Sequence, residues 1–333
     1  MVSIKRAKEL LTRPWLRRTA LLLFFLLVAG LLINQAMSIE WPKVAAAINA
    51  FESSTLIIAA GLAAFSYSIY SCFDLLGRHY TRAALPTYRV MKVAFMSYAF
   101  NQSLGSLVGG VAFRFRLYSQ LGVDAINISK IILLSVVTNW LGYSAIAGTI
   151  FIMDAVAMPV GWEIGQFSLH LTGWILVITA FAYMVLCGLL PDRAFEWRGQ
   201  KITVPRLPLA SLQLFLSVVH WPVAAAIVYV LLNQQIGFIE VLGALLLSAV
   251  AAALAHIPAG VGVLETIFVA LFREQIPVPQ ILAALVIFRV VYYLCPLAIA
   301  SLLYFFTEAR STRRHNNESN PSNVRHRQLA TRY

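Results

Sequence analysis

The sequence predicts an all-α polytopic membrane protein, with about six full spans and two re-entrant hairpins arranged as an inverted-topology repeat. Three observations lead there. The 333 residues are 60% hydrophobic and only 12% charged, where a soluble globular domain carries about 25% charged residues. Apolar stretches of the roughly 20 residues needed to cross a bilayer core recur along the chain. Two further apolar stretches are broken by glycine and carry charge, and broken backbone at membrane depth is tolerated only inside protein or beside a watery cavity.

In chain order, residues 1–18 read as a basic cytoplasmic N-terminus and Thr19–Met37 as the first span. That start also resembles a secretory signal with a cut near Ala36–Ser38, but the many later spans favour an uncleaved helix. Further full spans are Ser54–Leu76, Ile128–Met153, Leu169–Leu190, Leu209–Leu232 and Gln280–Phe306. Val90–Val111 and Glu240–Phe272, which overlap the broken stretches Asn101–Tyr118 and Ser248–Arg273, are each either a further crossing or a re-entrant hairpin. From about Glu308 the chain is rich in Arg, Asn and Ser, and 307–333 reads as a basic, disordered cytoplasmic tail.

Basic residues decide between hairpins and crossings for the broken stretches. If both re-enter, 23 of the 26 Lys and Arg fall on the cytoplasmic side; if both cross, 17 do. The positive-inside rule favours the first arrangement. Both termini are then cytoplasmic, and Glu40, Glu52, Asp154 and Glu163 lie outside. The first membrane repeat, 19–153, and the second, 154–306, each contain an odd number of crossings, so they are inverted. Gly110 and Gly260 correspond, as do Asn139 and Arg289. Such paired, broken segments mark transport sites.

The net charge of +12 is explained by these flanking residues and by attraction to anionic headgroups, so nucleic acid is not an expected partner. Cys72, Cys187 and Cys295 have no metal-ligand spacing, and neither does His256, so no metal site and no cofactor is expected. No phosphate-binding loop for nucleotides is present.

The first broken stretch, Asn101–Tyr118, reads N-Q-S-L-G-S-L-V-G-G-V-A-F-R-F-R-L-Y. Arg114 and Arg116 follow Gly109 and Gly110, at the cytoplasmic mouth of that hairpin, and arginine forks match phosphate oxygens. Asp74 is a candidate partner for one of them. In the second, Pro258, Gly260 and Gly262 prevent an unbroken helix, and freed N–H groups at its tip are suited to an anion. Glu265 follows that turn. Arg289 lies ~6 Å from mid-membrane in the last span, where an unpartnered arginine is costly; Glu265, Asp74 and a ligand phosphate are its candidate partners. Asn101, Asn139, Trp140 and Tyr292 are candidates to line the same cavity.

S-Y-S-I-Y-S-C-F-D-L-L-G-R, the stretch ending G-G-V-A-F-R-F-R-L-Y, T-N-W-L-G-Y and H-I-P-A-G-V-G-V-L-E together resemble the bacterial lysylphosphatidylglycerol synthetase transmembrane-region family, from about Trp15 to Glu308. The resemblance implies a flippase-like domain of the bacterial cytoplasmic membrane that moves phospholipid between leaflets. In relatives it is fused to an aminoacyl-tRNA transferase domain, which is not seen before Tyr333, so lysyl-lipid synthesis is not expected. By motif match, Asp74, Arg114 and Glu265 carry over as functional residues. The expected function is phospholipid translocation, with an anionic phospholipid as partner. A lipid-modifying enzyme using His256 and Glu265, and a non-transporting envelope scaffold, are the alternatives; a homo-oligomer or an envelope-protein partner stays open.

Overall fold

A computed structural model describes residues 51–156, 165–197, 200–254 and 260–318, with isolated positions 42, 46 and 49. The expected first span therefore lies outside the described residues, as do His256 and Pro258. Among the described residues from Phe51 onward, the regular structure is helical apart from one small ribbon. Helix α1 is Ser53–Thr81, α2 Thr87–Leu104, α3 Phe113–Gln120, α4 Ala125–Ile152 and α5 Gln166–Leu189. Strands β1 (Ala194–Trp197) and β2 (Gln200–Thr203) pair antiparallel, with Ala194 opposite Thr203. Helix α6 is Leu207–Leu231, α7 Phe238–Leu254, α8 Val263–Phe272, α9 Val278–Arg289 and α10 Cys295–Glu318.

Among the described residues, five helical runs are long and apolar enough to cross a membrane: α1, α4, α5, α6 and the run Val278–Glu308. Each matches one of the spans expected from the sequence. The outer surface is apolar too: Phe167, Leu171, Trp174, Ile178 and Phe181 of α5 are all exposed, as in a helix facing lipid. Small residues let the spans approach. A Cβ on Gly148 would lie 2.8 Å from the Gly173 carbonyl oxygen, and one on Gly142 would overlap Ser217, so α4 meets α5 and α6 almost backbone to backbone.

In both broken stretches, described segments pack against one another. α2 begins after Pro86, whose ring suits the extended turn before a helix, and runs to Gly105. A π-helical stretch, Ser106–Ala112, then returns against α2 and leads into α3. Gly109 makes that return possible, because a Cβ there would overlap the Phe100 carbonyl and the Asn101 nitrogen. Gly77 near the end of α1 abuts Ile131 near the start of α4, so the stretch 87–120 starts and finishes at one end of the bundle. α7 and α8 also pack against each other. The start of α7 lies at the opposite end, with Gly243 against Ile150 and Val156.

Two differences from the sequence reading have clear causes. The last span is not one uniform helix: a π-helical turn, Val290–Leu294, separates α9 from α10. Pro296 has no N–H to reach back to the Tyr292 carbonyl, and the Tyr67 hydroxyl donates to that oxygen instead at 3.0 Å. The last helix also runs past Glu308, where the basic tail is expected to begin. Glu308 is buried, accepts from Arg116 at 3.1 Å and from Gln120 at 3.1 Å, and α10 runs on to Glu318. Residues 319–333 lie outside the described residues.

Candidate functional site

Asp74 of α1 and Arg114 of α3 form a charged knot inside the first half. Arg114 Nε donates to Asp74 Oδ2 at 3.0 Å and Nη2 donates to Oδ1 at 3.1 Å. Nη1 reaches the Gly110 carbonyl at 3.1 Å and Nη2 the Ser135 hydroxyl at 3.3 Å. Tyr118, one turn after Arg114 on the same helix face, donates to Asp74 Oδ2 at 2.9 Å. Asp74 is wholly inaccessible and Arg114 nearly so. Both charges are thus paired and hydrogen-bonded, the condition under which burial is tolerated.

A second knot is built to a similar plan. Arg289 Nε donates to Glu265 Oε1 at 2.6 Å and Nη2 to Oε2 at 2.8 Å. Nη2 also donates to the Gly260 carbonyl at 3.1 Å. Gly262 N–H donates to Glu265 Oε2 at 2.9 Å. The free N–H expected to await an anion at this turn is therefore met by the protein's own carboxylate, which also faces the positive end of α8. Gly260 and Gly262 have φ of 58° and 82°, values that glycine adopts without steric cost. In each knot an arginine holds a carboxylate and the carbonyl of a glycine at the bend of a folded-back segment. The roles are swapped: the segment supplies the arginine in the first half and the carboxylate in the second.

Between them lies a polar ring that the sequence reading mostly missed. Ser66 Oγ is 3.2 Å from His220 Nδ1 and 2.9 Å from the Tyr292 hydroxyl. The Tyr98 hydroxyl is 3.3 Å from His220 Nε2 and 3.1 Å from the Tyr292 hydroxyl. These four contacts close a circle through α1, α2, α6 and the π-helical turn. Three hydroxyl protons and the one N–H of a neutral imidazole serve four bonds, so the circle is saturated running either way round. Tyr70 stacks on Tyr98 with centroids 3.5 Å apart and lies 5.8 Å from the Arg114 guanidinium. Tyr293 lies 5.9 Å from that of Arg289. Aromatic and hydroxyl groups thus connect one knot to the other.

The remaining sequence candidates are placed as follows. Gly109 packs on α2, and Asn101 lies beside Gly110. Arg116 is not with Arg114 but on Glu308, over the Tyr304 ring. The Asn139 carbonyl accepts from Ser217 at 3.1 Å, at the α4–α6 seam. Trp140 is exposed and packs edge-on against Tyr143. His220 was the signal available for the ring, since a histidine in the middle of an apolar span is a functional candidate by default.

The family model for the lysylphosphatidylglycerol synthase TM region matches residues 17–300. The chain belongs to that family. It is 39% identical over 315 residues to the inner membrane protein YbhN of Escherichia coli (strain K12), covering 94% of this chain and 96% of that protein. It is 30% identical over 305 residues to uncharacterized protein slr0712 of Synechocystis, covering 90% and 93%. A phosphatidylglycerol lysyltransferase of Staphylococcus haemolyticus is 25% identical over 314 residues, covering 89% of this chain but 34% of that protein. With its long apolar helices, this member of the family is a multi-pass bacterial membrane protein.

Proposed function

We propose that the protein moves a phospholipid headgroup between leaflets, with the two folded-back segments as alternating gates and the acyl chains left in lipid. In this reading both segments are re-entrant, from opposite faces of inverted halves, and both termini are cytoplasmic. The observation that carries it is the unequal closure of two similarly built knots. Asp74 is 0% exposed, whereas the Glu265 side chain is 22% exposed. One gate is shut and the other is within reach of a headgroup. A phosphate that takes the place of Glu265 keeps Arg289 satisfied, because the guanidinium fork donates to two phosphate oxygens as it does to two carboxylate oxygens. The hydroxyl ring continues the polar path inward. The kinship with proteins named phosphatidylglycerol lysyltransferase makes phosphatidylglycerol the first headgroup to try.

The test is reconstitution of the full chain into vesicles containing labelled phosphatidylglycerol. The label should exchange between leaflets faster than in protein-free vesicles. Arg289→Ala should slow it roughly tenfold or more, the scale of a lost charge-assisted contact. Exchange at the protein-free rate, across several headgroups, overturns the proposal.

A further inference from the structure

A cleft of about 220 Å³ lies away from the knots, between the end of α1, the start of α4, the end of α5 and strand β2. Its walls are apolar: Leu134 and Val137 from α4, Leu186 from α5, and Val204 beyond β2. Leu133 and Leu186 on its lining are exposed on the outer surface of membrane helices, so the cleft opens sideways toward lipid. The ribbon that closes it is held in place. The Tyr80 hydroxyl donates to the Thr203 carbonyl at 2.6 Å and accepts from the Thr203 N–H at 3.0 Å, and Val204 packs on Cys187 and Ala210. Tyr80 is thereby occupied and has no role left toward a ligand.

Lys130 stands on the edge of this cleft. It is half-buried, and among the described residues nothing pairs with it, whereas Arg114, Arg116, Arg206 and Arg289 all hold carboxylates. It sits five residues into α4, at the end of the bundle where α1 finishes. A lysine there lays its stem along apolar surface and carries its ammonium to headgroup depth. The volume is below the roughly 300–1,000 Å³ of pockets that enclose a whole small molecule. It accepts a length of one acyl chain and leaves the headgroup outside, beside Lys130.

We propose that this cleft is a binding site for a phospholipid with an anionic headgroup, one acyl chain lying along Val137 and Leu186 and the phosphate meeting Lys130. It is separate from the translocation path and stands whether or not lipid crosses. The test is lipid retention by the detergent-purified full chain in native mass spectrometry, with phosphatidylglycerol and phosphatidylcholine added in parallel. The wild type should retain phosphatidylglycerol preferentially. Lys130→Gln should lower that retention about fivefold, the scale of one lysine at a lipid surface, and leave phosphatidylcholine unchanged. Val137→Phe, which fills the cleft, should lower retention of both. Arg89→Gln, an exposed basic change at the same end, should alter neither. Wild-type retention in Lys130→Gln overturns the site, as does an equal loss in Arg89→Gln or full retention in Val137→Phe.

Discussion

Removing either charge of the Asp74–Arg114 knot strands the other among Tyr70, Tyr118 and Ser135, away from solvent. Breaking one side of a buried ion pair costs about 3–5 kcal/mol. Asp74→Ala and Arg114→Ala should each destabilise on that scale, and the double variant by less than their sum, because the two side chains share one interaction. Denaturant unfolding of the purified protein in detergent reads all three. The ring is worth less per bond. Hydrogen bonds between membrane helices average about 0.6 kcal/mol, so Ser66→Ala should cost about 1 kcal/mol in the same assay. This difference also explains what the sequence disclosed. A charge in an apolar stretch stands out, and Asp74, Arg114, Glu265 and Arg289 were all legible. Which charge holds which was not, because pairing depends on where the folded-back segments turn. Ser66, Tyr67 and Tyr98 look like ordinary members of apolar helices until packing brings their hydroxyls together.

The folded-back segments depend on contacts with no room to spare. Gly109→Ala would force a methyl into the backbone of α2 at Phe100 and Asn101, and overpacking of this kind costs about 1–3 kcal/mol or more. Gly61, in α1, has nothing within 4 Å of the same added atom. Gly61→Ala should be neutral or stabilising by up to about 1 kcal/mol, the helix-propensity difference. Thermal unfolding midpoints of the two variants therefore should move in opposite directions or differ sharply. The existence of long helices was legible from runs of apolar residues, and the breaks from glycine and proline. The π-helical turns were not, since their cause lies in tertiary partners: Tyr67 must be in place to take the carbonyl that Pro296 leaves free. The β1–β2 ribbon was missed for a similar reason, being fixed by Tyr80 from a distant helix.

Across the molecule, the polar contacts join segments far apart in sequence. Ser66 and Tyr292 are 226 residues apart, and Arg116 and Glu308 are 192 apart. The Arg116–Glu308 contact ties α10 to α3, and hence the last span to the first folded-back segment. Because Arg116 is 38% exposed, Glu308→Gln should destabilise less than either change in the Asp74 knot. Alternating gates require the two segments to approach from opposite faces of the membrane. The most direct test is single-cysteine labelling in intact cells, in a background without Cys72, Cys187 and Cys295, using exposed Ser119 after the first segment and exposed Gln234 before the second. With the segments entering from opposite faces, an impermeant reagent labels Gln234→Cys and spares Ser119→Cys until the cells are opened. The reverse pattern, with Ser119→Cys labelled from outside and Gln234→Cys protected, would mean that both segments simply cross, and would contradict alternating gates.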